Sequence, residues 1–282
     1  MKVGIGLPNA VRGVERAGIV DWAQRAEAAG FSSLGTIDRI AYPNYESLIA
    51  LAAAAAVTER IELVTDILIA PVRVNTALLA KQAATLDHLS GGRLVLGLAP
   101  GGREDDYGES GTDFHGRGKR LDEQLPAMKA IWEGQTSVGP EPSQPGGPVV
   151  LIGGSSPATF RRTAKFGDGW TMGGGTPDMF AEALGPLLEA WNAEGREGEP
   201  RTMALMYFAL GSDAEEAAQR SLGDYYAFLG EYASMVVDGA AKDAATVKGY
   251  LQAFAQVGCD EVICFPANPD PGQVELLAEA AL

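Results

Sequence analysis

The sequence predicts a (β/α)8 barrel, and its strand–helix rhythm and its length are the two observations that indicate this fold class. Eight short apolar strands alternate with helical segments along the chain, which is the pattern of a parallel sheet covered by helices. The 282 residues agree with the roughly 250 residues, plus insertions, that one such barrel requires. We therefore expect a single domain over residues 1–282.

The first half of the chain supplies four strand–helix units. The predicted strands are residues 3–7, 31–38, 61–70 and 93–99. After the first strand, the apolar residues Ile19, Trp22 and Ala26 recur at helical spacing, which predicts an amphipathic helix that ends at Gly30. The third helix is expected to begin near Asn75, because asparagine caps helices well.

The second half supplies four further units, and the two insertions of the barrel follow strands four and seven. A long loop is predicted up to about Lys119, and a Pro/Gly/Ser-rich connector occupies residues 134–147. The remaining predicted strands are residues 148–153, 168–172, 202–210 and 261–267. The helical region after the seventh strand is longer than the others and reaches about Gly258. Because the same rhythm continues on both sides of the connector, we place the connector inside one domain.

A doubly wound open sheet is the main competing fold, and the first turn argues against it. Such sheets usually carry a G-x-G-x-x-G nucleotide motif after the first strand. Here Gly4 and Gly6 are followed by Asn9, where the third glycine would stand. The barrel is therefore the preferred fold.

The charge balance excludes several classes of partner. Acidic residues exceed basic ones by 37 to 22, which opposes binding to nucleic acid or to an anionic membrane. The start of the chain has no apolar block of signal-peptide length, and the longest apolar run, residues 48–57, is too short to span a bilayer. We expect a cytoplasmic enzyme.

Metal and serine-hydrolase chemistry also find little support. The chain has only two histidines, His88 and His115, and no Cys/His cluster with zinc spacing. A G-x-S-x-G elbow is absent from the sequence. We therefore predict no metal site.

The clearest candidate site is the segment Gly153-Gly154-Ser155-Ser156, which joins the fifth strand to a helix. Free N–H groups and the helix dipole at such a position favour a phosphate, and Ser156 and Thr159 are spaced to face the same anion. Arg161 and Arg162 add positive charge nearby. The alternative is that Ser155 or Ser156 only caps the helix.

Asp66 interrupts an otherwise apolar third strand close to the expected catalytic rim. Partial desolvation there would raise the pKa of the carboxyl and suit it to proton transfer. The alternative is a structural ion pair with Arg39 or Arg73.

A longer stretch shows a family resemblance. The run LLAKQAATLDHLSGGRLVLGLAPGGREDDYGESG, followed by RGKRLDEQLPAMKAIWEG, resembles the bacterial luciferase-like family of flavin- and deazaflavin-dependent oxidoreductases. The likeness extends from the first strand to Trp170, and its segment ATLDHLSGGRLVLGL is a specific signature. The family fold is a (β/α)8 barrel.

The resemblance implies a coenzyme ring over the carboxyl ends of the strands, with its phosphate held by Ser156 and Thr159. Thr65-Asp66 falls where members often have a non-prolyl cis peptide behind the ring. The residues implied to bind coenzyme are Thr65, Gly101, Gly153, Gly154, Ser155, Ser156 and Thr159.

The resemblance also implies catalytic and substrate-binding positions. Asp38 matches an acidic or histidine position after the second strand, and Glu104 matches a common family acid; with Asp66 they form the catalytic set. The implied substrate pocket comprises Arg39, Gly102, Arg103 and Tyr107. Asp105, Asp106 and Glu109 are read as a solvated loop, and Tyr225, Tyr226 and Phe228 as helical core rather than pocket lining.

Two residues depart from the family pattern. Arg39 stands where many members carry histidine, which puts histidine-based proton transfer in doubt. Pro100 stands where the luciferase has a phosphate-contacting arginine, so Arg161 or Arg162 is expected to supply that contact.

Three functions remain open at this stage. The first is a monooxygenase that uses reduced FMN, supplied by a separate flavin reductase, and oxygen on a small organic substrate. The second is a hydride transferase that depends on coenzyme F-420, a deazaflavin, and the third is a non-catalytic flavin-binding protein. Family members commonly form dimers, so a homodimer is expected.

Overall fold

A computed structural model describes the backbone of residues 1–282 and every side chain except that of Arg16, and it confirms the predicted barrel. Eight parallel strands pair in chain order, and the last closes the ring by pairing with the first. The strands are β1 (Lys2–Gly6), β2 (Ser33–Thr36), β3 (Glu62–Ile69), β4 (Leu94–Ala99), β5 (Val149–Gly153), β6 (Gly169–Met172), β7 (Arg201–Phe208) and β8 (Glu261–Pro266).

Helices surround this ring. They are α1 (Arg16–Ala29), α2 (Ser47–Ala55), α3 (Thr76–Ser90), α4 (Glu104–Glu109), α5 (Arg117–Trp132), α6 (Pro157–Phe166), α7 (Pro177–Ala193), α8 (Ala214–Tyr225), α9 (Ala233–Asp238), α10 (Ala244–Gln256) and α11 (Gln273–Ala281). Short 3-10 turns occupy Pro8–Ala10, Ala70–Val72 and Ala227–Tyr232. No helix among the described residues joins the length to the apolar character that crossing a bilayer needs.

The helix ends follow the predicted signals. Gly30 ends α1 in the left-handed region at φ 94°, which glycine adopts without strain. The side chain of Asn75 accepts a hydrogen bond from the backbone N–H of Leu78 at the start of α3. The long loop after β4 differs from the prediction, because α4 forms within it and α5 begins at Arg117, slightly before Lys119.

The connector at residues 134–147 is bound to the barrel and does not separate two domains. The backbone N–H and side-chain amide of Gln144 donate to the buried carboxylate of Asp87, and the same amide donates to the carbonyl of Leu94 at the start of β4. Because β5 pairs directly with β4, the strands on both sides of the connector belong to one ring.

Two apolar layers hold the barrel. Its interior is filled by side chains that face inward from the strands, including Val64, Leu151 and Phe265. A larger layer between the strands and helices contains Trp22, Trp170 and many aliphatic residues. At the amino ends of the strands, the buried carboxylate of Glu261 accepts hydrogen bonds from Ser32, Ser33 and Arg201. This polar cluster fills that end of the barrel, so a cavity is expected at the carboxyl ends of the strands.

Candidate functional site

A cavity of about 640 Å³ lies at the carboxyl ends of the strands, where barrel enzymes place their chemistry. That volume is within the range of small-molecule sites, about 300–1,000 Å³. The strands and their following loops contribute the lining. The lining residues are Ile37, Asp38, Arg39, Asp66, Ile67, Ile69, Ala99, Pro100, Gly101, Gly102, Arg103, Asp106, Gly153, Gly154, Ser155, Ser156, Thr159, Met172, Gly173, Gly174, Leu205, Tyr207, Tyr225, Tyr226 and Phe228.

Most of the residues predicted for the site line this cavity, and three lie outside it. Thr65 is buried in β3 and its hydroxyl donates to the carbonyl of Gly97 at 2.8 Å. Glu104 is the exposed first residue of α4. Tyr107 is buried beneath the loop, with its hydroxyl donating to the carbonyl of Pro100.

The Gly-Ser turn forms a small polar corner of the cavity. Ser156 caps α6, because its Oγ accepts from the backbone N–H of Thr159 at 3.2 Å and lies 3.0 Å from Thr159 Oγ1. Since only one of these two hydroxyls donates to the other, the second hydroxyl proton is available to an external acceptor. Gly154 has φ 120°, and a Cβ there would stand 2.9 Å from Thr159 Oγ1. The turn therefore has the form of a cradle for an anion.

Neither arginine expected beside this turn lines it. Arg162 is buried and its Nε donates to Asp122 Oδ1 at 2.7 Å, so its charge is already paired with a carboxylate of α5. Arg161 is exposed and is absent from the cavity lining. Among the described residues, the cations that line the cavity are Arg39 and Arg103, and both lie close to Tyr225, the last residue of α8. The expected arginine contact to a phosphate is therefore not supplied by Arg162.

Asp66 is 2% exposed, and only one of its two carboxylate oxygens has a hydrogen-bond partner among the described residues. Its Oδ1 accepts from the hydroxyl of Thr171 on β6 at 2.7 Å, whereas its Oδ2 has no hydrogen-bond partner among the described residues. Burial raises the pKa of this carboxyl to about 7; the Thr171 bond opposes the rise, and the charge of Glu261 adds to it. The alternative of a structural ion pair with Arg39 or Arg73 is wrong, since both arginines bind other carboxylates.

A non-prolyl cis peptide joins Asp66 to Ile67. The family resemblance implied such a bond between Thr65 and Asp66, one residue earlier. Asp66 and Ile67 both line the cavity.

Asp38 lines the cavity but its oxygens are already engaged. Arg73 donates to both carboxylate oxygens at 2.7 and 3.1 Å, and the backbone N–H of Ile69 donates to Oδ2 at 2.8 Å. Arg73 also binds Glu46. A carboxylate whose oxygens accept hydrogen bonds from this many donors is held firmly in position, which suits Asp38 to fixing the rim of the cavity.

Asp106 is the main site residue that sequence reasoning missed. It was assigned to a solvated loop, yet it is fully buried and accepts from Arg39 Nε at 2.7 Å and from the backbone N–H groups of Ile40 and Ala41. Asp105 supplies the second carboxylate to Arg39. The loop after β2 is therefore fastened to α4 by a buried charge pair.

A cluster of aromatic side chains forms another part of the cavity wall. Tyr225, Tyr226 and Phe228 were expected in a helical core, but they line the cavity where α8 ends and a 3-10 turn begins. The hydroxyls of Tyr207 and Tyr226 lie 2.7 Å apart in a hydrogen bond. The guanidinium carbon of Arg103 lies 3.9 Å from the centroid of the Phe228 ring.

Metal chemistry gains no support from the described residues, which contain no group of three or more metal-ligating side chains of the His, Cys, Asp and Glu types.

Comparison with known proteins yields one family and several relatives. A family model described as luciferase-like monooxygenase matches residues 1–260. An uncharacterised protein of Mycobacterium tuberculosis is 35% identical over 191 residues, which cover 55% of this chain and 65% of that protein. A coenzyme F-420-dependent glucose-6-phosphate dehydrogenase of Nakamurella multipartita is 29% identical over 223 residues, covering 71% of this chain and 66% of that enzyme. The chain thus matches slightly less than two thirds of each relative's length.

A solved structure resembles the whole barrel. Monooxygenase RslO1 from Streptomyces bottropensis superposes with a TM-score of 0.82 at 22% identity, over 100% of this chain and 98% of that one. At this identity the likeness concerns the fold alone.

Proposed function

We propose, because the chain belongs to the luciferase-like monooxygenase family, that it is an oxidoreductase whose cavity binds a phosphorylated flavin or deazaflavin coenzyme. The observation that carries the proposal is Asp66 Oδ2, a buried polar atom on the cavity wall without a partner among the described residues. Such an atom is costly unless a ligand satisfies it.

The residues of the cavity fit that group. Ile37, Ile67, Ile69, Met172 and Leu205 give the cavity apolar walls of the kind that a planar ring requires. The cradle of Gly154, Ser156 and Thr159 lies on the same cavity and offers a hydroxyl donor at a helix start. Ring and phosphate thus have separate, suitable surfaces.

Asp66 has the properties of a proton donor to the coenzyme ring. Because Oδ1 accepts from Thr171, the proton of the neutral carboxyl resides on Oδ2, which has no partner in the described chain. With a pKa of about 7, the group holds or releases this proton near neutral pH. In this role it hydrogen-bonds an acceptor on the ring, while Asp38 and Arg73 keep the rim rigid.

Coenzyme F-420 is our first choice of coenzyme, and the cradle is the reason. A phosphate monoester such as that of FMN carries a charge of about −1.5 to −2 near neutral pH, whereas the phosphodiester of coenzyme F-420 is a monoanion. Arg162, the cation expected to offset the larger charge, is paired with Asp122. The hydroxyl and N–H donors at Gly154–Ser156 match the smaller charge better. When bound, this coenzyme accepts or donates a hydride without activating oxygen.

A monooxygenase that uses reduced FMN is the second candidate. It is favoured by the aromatic side chains of Tyr207, Tyr225, Tyr226 and Phe228 in the cavity wall, since bulky rings reduce the access of water and oxygen chemistry requires water to be kept away. This reaction would need a separate reductase to supply reduced FMN.

The experiment is a titration of the purified protein with oxidised coenzyme F-420 and, separately, with FMN, followed by absorbance and fluorescence. We expect micromolar or tighter binding of coenzyme F-420, at least tenfold weakening in Ser156→Ala combined with Thr159→Val, and weaker binding of FMN. Thr176→Ala is the matched control, because Thr176 caps α7 in the same way but does not line the cavity.

The results separate the candidates. Tighter binding of FMN, with oxygen uptake by the reduced complex, selects the monooxygenase. Binding without turnover of any tested alcohol, aldehyde or enone selects a binding protein. Failure of both coenzymes to bind the folded protein overturns the proposal.

A further inference from the structure

Arg103 is a cavity-lining cation that forms no salt bridge within the described residues, although the carboxylate of Asp106 is near enough to act on it electrostatically. The other lining cation, Arg39, is paired with Asp105 and Asp106. Arg103 donates one hydrogen bond, from Nη1 to the carbonyl of Tyr225 at 2.9 Å. Its Nε and Nη2 donate none within the described residues, although the side chain is partly removed from solvent.

Aromatic faces hold this guanidinium in place. Its carbon lies 3.9 Å from the ring centroid of Phe228, 4.4 Å from that of Tyr225 and 5.4 Å from that of Tyr226. Stacking on rings partly compensates the charge, but it engages the faces of the group and not the N–H donors at its edge. Those donors are the ones that bind a carboxylate in a fork.

The surroundings of Arg103 supply further elements of a ligand site. The hydroxyl of Tyr225, a largely buried residue, makes no hydrogen bond among the described residues. Burial lowers the pKa of Arg103, the charge of Arg39 lowers it further and the charge of Asp106 opposes the change, so burial carries a cost for the charged guanidinium. An incoming anion would relieve that cost.

We propose that Arg103 binds a carboxylate or similar oxyanion of the substrate, whose apolar body lies against Tyr225 and Tyr226. The proposal rests on the proposed function in one respect, namely that the coenzyme occupies the side of the cavity formed by Asp66 and the Gly-Ser turn. The substrate class is therefore a small organic acid with an aromatic or aliphatic body.

The coenzyme is the other possible source of an anion. The Gly-Ser turn that would hold its phosphate follows β5, whereas Arg103 precedes α4 and contacts Tyr225 at the end of α8 and Phe228 in the turn that follows. The carboxylates at the end of the coenzyme F-420 tail have the same chemistry as the proposed substrate group. The experiment must therefore distinguish these two sources.

The experiment is isothermal calorimetry with benzoate and with benzamide, its neutral counterpart, on the protein alone and on the protein loaded with coenzyme. We expect benzoate to bind to the protein with and without coenzyme. The substitution Arg103→Gln should lower the affinity for benzoate about tenfold to a hundredfold, because a charge-assisted pair is lost. Benzamide should bind weakly to both proteins. Arg161→Gln is the control, since it removes an exposed arginine outside the cavity.

Arg103→Lys keeps the charge but loses the fork, so we expect an intermediate benzoate affinity. Melting curves by circular dichroism check that each variant is folded, and Arg103→Lys replaces Arg103→Gln as the test if the latter is not. Equal affinity of wild type and variant for benzoate, or equal binding of benzoate and benzamide, overturns the proposal. If Arg103→Gln loses affinity for coenzyme F-420 but keeps its affinity for benzoate, Arg103 binds the coenzyme tail and the proposal is again overturned. Absence of coenzyme binding with benzoate binding intact overturns only the proposed function.

Discussion

Arg39 and Asp106 lie 67 positions apart in the chain and form a buried ion pair, with Arg39 Nε 2.7 Å from Asp106 Oδ2. The other oxygen of Asp106 accepts hydrogen bonds from two backbone N–H groups in the loop after β2. This single carboxylate therefore fixes the position of Arg39 and joins two loops of the cavity rim.

Asp106→Asn is expected to lower the free energy of unfolding by about 3 kcal/mol, because it leaves the buried Arg39 with only one carboxylate. Urea unfolding measures the change. Asp105→Asn is the matched control: its carboxyl is half exposed, so a loss of about 1 kcal/mol or less is expected. Equal losses in the two variants would contradict the assigned role of Asp106.

Asp66→Asn is expected to change how stability depends on pH. Folding raises the pKa of Asp66 from 3.8 to about 7, so between these values the native state binds more protons than the unfolded state and this group makes stability fall as pH rises. Asparagine does not titrate. The variant should therefore gain stability relative to wild type as pH rises towards about 7, with no further change above it. Urea unfolding at several pH values measures this, and a constant difference across the range would refute the raised pKa.

Coenzyme affinity is expected to fall as pH rises through about 7, the pKa of Asp66. Below that pH Oδ2 carries a proton and donates to the ring, and above it the carboxylate repels ring acceptors. Fluorescence titration of coenzyme F-420 across this range measures the change. Asp66→Asn keeps a donor and should bind independently of pH, whereas Asp66→Ala should bind weakly throughout. A pH-dependent Asp66→Asn variant would assign the titration to another group.

The fold could be predicted because short, largely apolar segments bounded by turn residues recur along the chain. Residues such as 148–153 read as a buried parallel strand without any knowledge of their neighbours. The Gly-Ser turn and Asp66 were also visible, since the turn follows the end of β5 and Asp66 breaks the apolar pattern within β3. These features could be predicted because each depends on residues that are close together in the chain.

The missed residues depend on contacts between distant segments. Asp106 resembled a loop acid because its partner, Arg39, lies in another strand–helix unit. A local signal did exist: within α4, Asp106 and Tyr107 are the buried residues of an otherwise exposed turn, but six residues are too few for a periodicity to be read. Tyr225 and Phe228 matched helical core spacing, and only the end of α8 turns them to the cavity.

Gly154→Ala is expected to weaken coenzyme F-420 binding at least tenfold. The backbone at Gly154 has φ 120°, and the added Cβ would stand 2.9 Å from Thr159 Oγ1, displacing the hydroxyl from the cradle. Fluorescence titration gives the affinity. Gly185→Ala, at an exposed position within α7 with open space around it, is the control and should bind as wild type does. Unchanged affinity in Gly154→Ala would remove the turn from the coenzyme site.

Arg162→Gln tests the reason for preferring coenzyme F-420. The side chain of Arg162 is 5% exposed and its guanidinium is bound to Asp122, so its removal should lower thermal stability while the coenzyme affinity stays within about twofold. Arg161→Gln should change neither quantity, because Arg161 is exposed and outside the cavity lining. Fluorescence titration and melting curves measure both effects. If Arg162→Gln instead weakened FMN binding tenfold while the protein stayed folded, the arginine would leave Asp122 to bind phosphate. The charge argument against FMN would then fail, and the monooxygenase would become the preferred function.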